Sequence, residues 1–388
     1  MSAPAMISST MTGSAPIPSA STIDRGPVRR PGRRLAGLVM VTALVAAGCS
    51  SEASTGGDDA STTTAPGASS TTTAPTTTTT EPLAEAVEIG SYPVGSTEVA
   101  LVDTSRDTAA NGDAPASEGR KLPTVVFYPA AGEPGNDPAK PKVTEDVEAR
   151  DGRYPLIVFS HGVTARGTFY QGELTAWASA GYVVVAPDYP LSNTDSPGGP
   201  TIADVGNQPG DASFLIDAFT DPEGDSAAAE VAAQVDADNI GAAGHSLGAI
   251  TSLGLGYSTC CADDRVDAVA AWAGAFLPML DEKNPDEGIT DRPLLLIHGE
   301  ADGTVPYSAS VSAFDIVESP RWFISLPKAG HIPPFLSPAG NPVGTLVNTT
   351  TLNFFDAELK DDPDGISRLE ADVEEIGAET ATLQSAGT

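Results

Sequence analysis

Gly244-His245-Ser246-Leu247-Gly248 is the stretch of this sequence best suited to carry chemistry. It fits G-x-S-x-G, follows a short apolar run, Ile240–Ala243, and opens a helix-like stretch, Ser246–Gly256. A serine on a tight strand-to-helix turn sits in strained backbone, and the flanking glycines let other chain segments come close. Its hydroxyl then stands above the sheet edge, and the amides that follow face any negative charge developing there. A serine hydroxyl is a weak nucleophile until a base takes its proton, and histidine suits that task at neutral pH. The chain has 4 histidines, so elimination is possible. His245 flanks the serine and is expected to point elsewhere. His161, in Ser160-His161-Gly162-Val163, follows a strand far upstream, and His298 ends an apolar run. That leaves His331, in Lys328-Ala329-Gly330-His331, as the expected base.

A carboxylate must hold this base in one tautomer. Asp302, in His298-Gly299-Glu300-Ala301-Asp302-Gly303-Thr304-Val305-Pro306, lies just beyond the end of an apolar run and is the expected acid. Glu300 and Asp267 are its rivals. The tetrahedral intermediate needs oxyanion donors, which are assigned to the backbone N–H groups of Leu247 and of Val163 in the His161-Gly162-Val163 loop. Phe169, Tyr170, Trp272, Phe276 and Phe335 each follow a strand end or a catalytic element, where the acyl part of a substrate would bind; core packing is the alternative for each. No cofactor or metal is expected, because the adjacent Cys260 and Cys261 lack ligand spacing. In an oxidising compartment that pair could form a vicinal disulfide, or it could remain two small thiols.

These residues need a rigid frame. Short, nearly continuous apolar runs recur at Pro155–Phe159, Tyr182–Ala186, Ile240–Ala243, Val266–Trp272, Pro293–Ile297 and Trp322–Leu326. Runs of this length bounded by Gly, Pro or Asp predict strands buried on both faces. Helix-like stretches alternate with them at Tyr170–Ala180, Gly210–Phe219, Ser246–Gly256 and Ser308–Val317, with a last one at Leu346–Lys360. The alternation predicts an α/β fold with a mostly parallel central sheet and helices on both faces. Glu98–Val102 and Thr124–Tyr128 read as an early antiparallel edge.

The expected organisation is an export signal over 1–48, a Thr/Ser/Pro-rich linker over 49–82, a catalytic domain over 83–362 and an acidic tail over 363–388. Arginines at 29, 30, 33 and 34 precede an apolar stretch, Leu35–Ala47, of 13 residues. That is short of the roughly 20 a spanning helix needs. It ends at Cys49 behind small residues, as in the lipobox of bacterial lipoproteins, although Ala46 stands where leucine is usual. Lipidation of Cys49, with membrane anchoring, is one expectation; plain cleavage and secretion is the other. The linker has almost nothing to bury and reads as a spacer. Net charge is −32, and −36 without the basic leader, which argues against nucleic acid as a partner. An ester, whether small molecule, lipid or polymer, is the expected partner; oligomeric state is open.

Val158–Gly162, the Ser246 turn, His298–Pro306 and Gly330-His331 together resemble the α/β-hydrolase superfamily, in which the order along the chain is Ser, acid, His, as here. Some members take the acid from the preceding strand, but its end here reads Ala270-Ala271-Trp272-Ala273-Gly274. Arg120–Ala130, ending Phe-Tyr-Pro-Ala, followed by Phe159-Ser160-His161-Gly162, is more specifically similar to bacterial relatives of platelet-activating-factor acetylhydrolase and dienelactone hydrolase, with serine in place of the latter's cysteine. The resemblance spans about residues 90 to 360. It implies a serine hydrolase acting on carboxylic esters. Lipases, cutinases and polyester hydrolases share the framework; an acyltransferase, a peptidase and a non-catalytic cell-surface binding protein are the remoter alternatives.

Overall fold

The computed structural model describes residues 83–135, 137, 140–222, 228–276, 292–336 and 340–388. The expected export signal, the linker and Cys49 lie outside the described residues.

One sheet of ten strands organises them: β1 Val94–Asp103, β2 Arg120–Pro129, β3 Val143–Glu145, β4 Tyr154–Ser160, β5 Val183–Pro187, β6 Val235–His245, β7 Ala268–Trp272, β8 Leu294–Gly299, β9 Arg321–Leu326 and β10 Thr382–Ala386. Their order across the sheet is β10-β9-β8-β7-β6-β4-β5-β2-β1-β3. The six from β5 to β9 in this order run parallel, while β2 joins β5, β1 joins β2 and β10 joins β9 antiparallel. The apolar runs form the parallel centre because both of their faces are covered. Ile157 and Phe159 enter one core, and Leu156 and Val158 of the same strand enter the other. The first core is closed by α1 Gln171–Ser179, α6 Pro342–Leu359 and α7 Gly365–Ile376. The second is closed by α2 Gln208–Thr220, α4 Leu247–Tyr257 and α5 Tyr307–Ile316, with the short α3 Ala229–Ala232 beside α2.

Chain order reverses about β4: the chain leaves it for β5 on one side, then returns to its other side as β6. Loops leaving β4 and β6 therefore diverge at the strands' C-terminal ends, the usual ligand position in such sheets. The loops carrying residues 161–170, 188–207, 300–306 and 327–341 all leave strands at that edge.

The segment expected as an acidic tail, 363–388, instead builds α7 and β10. Its acidity hides an apolar stripe at Ile366, Leu369, Val373 and Ile376, spaced as one helix face. Leu369 and Val373 are buried, and β10 pairs with β9 along Thr382–Ala386. Helix α6 begins at Pro342, four residues ahead of the expected Leu346, because Asn341 caps it through Oδ1 accepting from Val343 N–H at 3.1 Å. Cys260 and Cys261 are disulfide-bonded in the turn after α4.

A buried arginine locks the 188–207 loop to the edge of the sheet. Arg120, at the start of β2, is fully buried and donates to both oxygens of Asp211 at 2.6 Å. It also donates to Asp204 at 2.7 and 3.2 Å. Burial opposes its charge, but the two carboxylates outweigh that and hold the guanidinium protonated.

Candidate active site

Strand β6 ends at His245 and α4 starts at Leu247, so Ser246 alone makes the turn, with φ 57° and ψ −119°. A non-glycine residue there is strained, and the surroundings hold it: Ser246 N–H donates to Trp272 O at 2.9 Å. The motif glycines are required by close approach. A Cβ on Gly244 would lie 2.4 Å from Gly248 O, and one on Gly248 would lie 1.9 Å from Ser160 O. Helix α4 thus rests directly on the end of β4.

His331 Nε2 is 2.8 Å from Ser246 Oγ, and His331 Nδ1 is 2.7 Å from Asp302 Oδ2. Since a carboxylate only accepts, Nδ1 carries the hydrogen and Nε2 is left to receive the serine proton. The Asp302 side chain is fully buried and accepts four hydrogen bonds. Oδ2 takes His331 and, at 3.1 Å, His298 Nε2–H, while Oδ1 takes Thr304 N–H at 2.7 Å and Val305 N–H at 2.9 Å. Burial pushes this carboxyl upward, but the His331 bond and the two amides prevail and keep it below its ordinary value. The rivals stand apart. Asp267 accepts from Ile240 N–H at 2.8 Å, just before the start of β7 and away from its C-terminal end, and Glu300 is exposed.

Leu247 N–H opens α4, where first-turn amides have no intrahelical acceptor. In the β4 loop, Thr164 N–H goes to Ser192 O at 2.8 Å and Ala165 N–H to Gly162 O at 3.0 Å, turning the chain around Val163. Side chains of Val163 and Leu247 meet Val205, Ile250 and Ala275 in a small apolar cluster apart from the two cores.

Three of the five aromatics expected to line a pocket do not. Tyr170, Trp272 and Phe335 are 0 to 1% exposed, and Trp272 stacks on Phe335 with centroids 5.7 Å apart. Inward packing beneath the loops takes them from substrate. Phe276 is partly buried, edge-on to Tyr257. Only Phe169, 51% exposed, has an open face.

The three histidines set aside by elimination also surround the site. His161 is buried; its Nε2 accepts from Tyr189 N–H at 3.1 Å, so Nδ1–H donates to Gly162 O at 2.8 Å. His298 donates to Asp302, as above, and receives Ser310 O–H on Nδ1 at 2.7 Å. His245 Nε2 lies 2.8 Å from His331 O, so it does not point away but holds the main chain of His331. No spacing rule separates such supporting histidines from bystanders; the position of His298 four residues before Asp302 is the one sequence signal. Among the described residues, no group of three or more His, Cys, Asp or Glu could hold a metal ion.

With the site described, comparison with known proteins adds the following. The chlorophyllase family matches residues 133–270, roughly a third of the chain, including β4, the Ser246 turn and the first part of β7. A search of curated proteins finds no match. Among solved structures, the ferulic acid esterase from Streptomyces cinnamoneus superposes with a TM-score of 0.55 at 23% identity, covering 72% of this chain and 93% of that one. The chain has the α/β-hydrolase fold. In all, 945 solved chains match, so this fold alone does not select an activity. The α/β-hydrolase frame accounts for the turn at Ser246 and the order Ser246, Asp302, His331.

Proposed function

We propose that this protein is an exported serine hydrolase that cleaves carboxylic esters through Ser246, His331 and Asp302. The observation that carries it is the unbroken contact from Ser246 Oγ through His331 to Asp302, at 2.8 and 2.7 Å, in an α/β-hydrolase frame. His331 Nε2 takes the serine proton as Oγ bonds to the ester carbonyl carbon. The carbonyl oxygen becomes an oxyanion, received by the amides of Val163 and Leu247. Collapse breaks the carbon–oxygen bond to the alcohol, which leaves with the proton from His331. Water, deprotonated by the same nitrogen, then releases the acid from Ser246.

The matched chlorophyllase family and the ferulic acid esterase neighbour support ester cleavage as the reaction. The partial match is to neither platelet-activating-factor acetylhydrolase nor dienelactone hydrolase, so no acyl or alcohol identity is carried over from those names. Export, with Cys49 as a lipid anchor, rests on the arginine-led apolar leader. Hydrolysis of p-nitrophenyl esters of increasing chain length by the wild type and Ser246→Ala tests the activity. The wild type should release nitrophenol and the variant should fall to the solvent rate; equal rates would end the proposal. Cys49→Ser should abolish partition into a detergent phase, and unchanged partition would remove the anchor.

A further inference from the structure

His245 occupies the variable position of G-x-S-x-G, yet it is 3% exposed and both of its nitrogens are bound. Its ring lies between His331 and Phe335, with centroids 4.9 Å from each. Nε2 is 2.8 Å from the main-chain oxygen of His331. A carbonyl only accepts, so Nε2 carries the hydrogen and Nδ1 does not. Nδ1 is 2.8 Å from Tyr170 Oη, and its lone pair makes the tyrosine the donor. The same Tyr170 oxygen accepts Gly162 N–H at 3.3 Å. Every proton in this chain has one possible place. It runs from Gly162 N–H to Tyr170, from Tyr170 O–H to His245, and from His245 N–H to the carbonyl of His331.

The two ends of this chain are the parts that must agree. Gly162 precedes Val163, whose amide is the assigned oxyanion donor, and a Cβ on Gly162 would lie 3.3 Å from that of Ser246. His331 sits in a loop after β9, with no regular element fixing its backbone. We propose that His245 and Tyr170 are positioning residues, a hydrogen-bonded relay that fixes the His331 main chain relative to the oxyanion loop on either side of Ser246. The assignment rests on the proposed triad. An apolar side chain could fill the same space, and burying two ring nitrogens is costly unless both are satisfied. Burial, with His331 adding to it, pushes His245 down to about 3, so the ring stays neutral and its tautomer does not change over the working range. Displacing a base by about 1 Å can cost about 100-fold in rate, which is the scale at stake.

Four variants of the full chain test the relay: Tyr170→Phe, His245→Leu, His245→Gln and the double Tyr170→Phe/His245→Leu. Tyr170→Phe removes one oxygen from a packed ring, so it serves even where His245→Leu fails to fold. With melting temperature as a check on folding, Tyr170→Phe should lower kcat on p-nitrophenyl butyrate about 10- to 100-fold with KM nearly unchanged. The double variant should be no worse than His245→Leu, and His245→Gln, whose amide can reach His331 O, should recover part of the loss. Nitrogen-15 spectra should show His245 as the Nε2–H tautomer in the wild type, and as the same tautomer in Tyr170→Phe with the Nδ1 resonance shifted by loss of its donor. Folded variants that keep kcat within about twofold, or losses that multiply in the double variant, would overturn the relay. An Nδ1–H tautomer in the wild type would overturn it too, and that measurement does not depend on activity. Ester hydrolysis unchanged in Ser246→Ala would instead overturn the proposed function, leaving the relay to be judged by the tautomer.

Discussion

At the scale of single residues, the proposed chemistry depends most sharply on Asp302, because it alone fixes which nitrogen of His331 faces Ser246. Asp302→Asn should fold and still lose about 10⁴-fold in kcat, as the comparable change does in a serine protease triad. An amide offers its NH₂ or its oxygen to Nδ1 and cannot stabilise the imidazolium. Asp267→Asn and Glu300→Gln should stay within a few-fold, since neither side chain meets His331. Turnover of the three variants on one short-chain ester checks this; a crippled Glu300→Gln beside an active Asp302→Asn would reassign the acid. The meeting of Ser246, His331 and Asp302 was legible because each lies in a motif or loop just beyond a strand end. The roles of His245, His298 and Tyr170 were not, since a histidine that supports a base looks like any other until the fold brings it within 3.1 Å. Tyr170, Trp272 and Phe335 failed as pocket residues for a related reason: proximity in sequence to a strand end does not say whether a ring turns outward or down into the core.

At the scale of elements, the parallel strands were legible as apolar runs and their helices as intervening periodic stretches, since burial on both faces leaves such a sequence few other states. What stayed hidden was short or disguised. β3 has three residues and α3 four, too few for any pattern, and α7 conceals its four-residue stripe among acids. A chain ending at residue 362 should therefore not behave as a complete domain. It loses the buried Leu369 and Val373 and uncovers the edge of β9, a cost of about 3 to 6 kcal/mol from those two side chains alone. Urea unfolding of the truncated and full chains measures the difference; equal midpoints would mean that α7 and β10 contribute nothing. Contact between α4 and β4 gives a second expectation. Gly248→Ala would drive a methyl group into Ser160 O, displacing the serine turn, so activity should fall even where the variant folds.

At the scale of the whole molecule, acidity sets both what the protein avoids and how its stability responds to pH. A net charge of −32 repels polyanions such as nucleic acid. One buried acid acts against the fold at high pH. Glu173 on α1 is 2% exposed, its Oε1 has no hydrogen-bond partner among the described residues, and burial pushes it up to about 8. A folded-state value above that of the unfolded chain means its contribution is fully present below about pH 4.5 and is lost as pH rises through about 8. Glu173→Gln should therefore stabilise the protein by about 3 to 5 kcal/mol at pH 9, shrinking to about 1 kcal/mol at pH 5. Thermal melts at the two pH values check this, and a gain independent of pH would mean the carboxylate is not the cause.

The central claim is that Ser246 is the one serine activated by its surroundings. Intact-mass and peptide mapping after treatment with a fluorophosphonate tests it most directly, because the reagent needs an activated nucleophile and no knowledge of the substrate. The account predicts one adduct per chain, on the peptide carrying Ser246, with labelling abolished in Ser246→Ala and strongly slowed in His331→Ala. An adduct on a different residue, or equal labelling of wild type and Ser246→Ala, would contradict it.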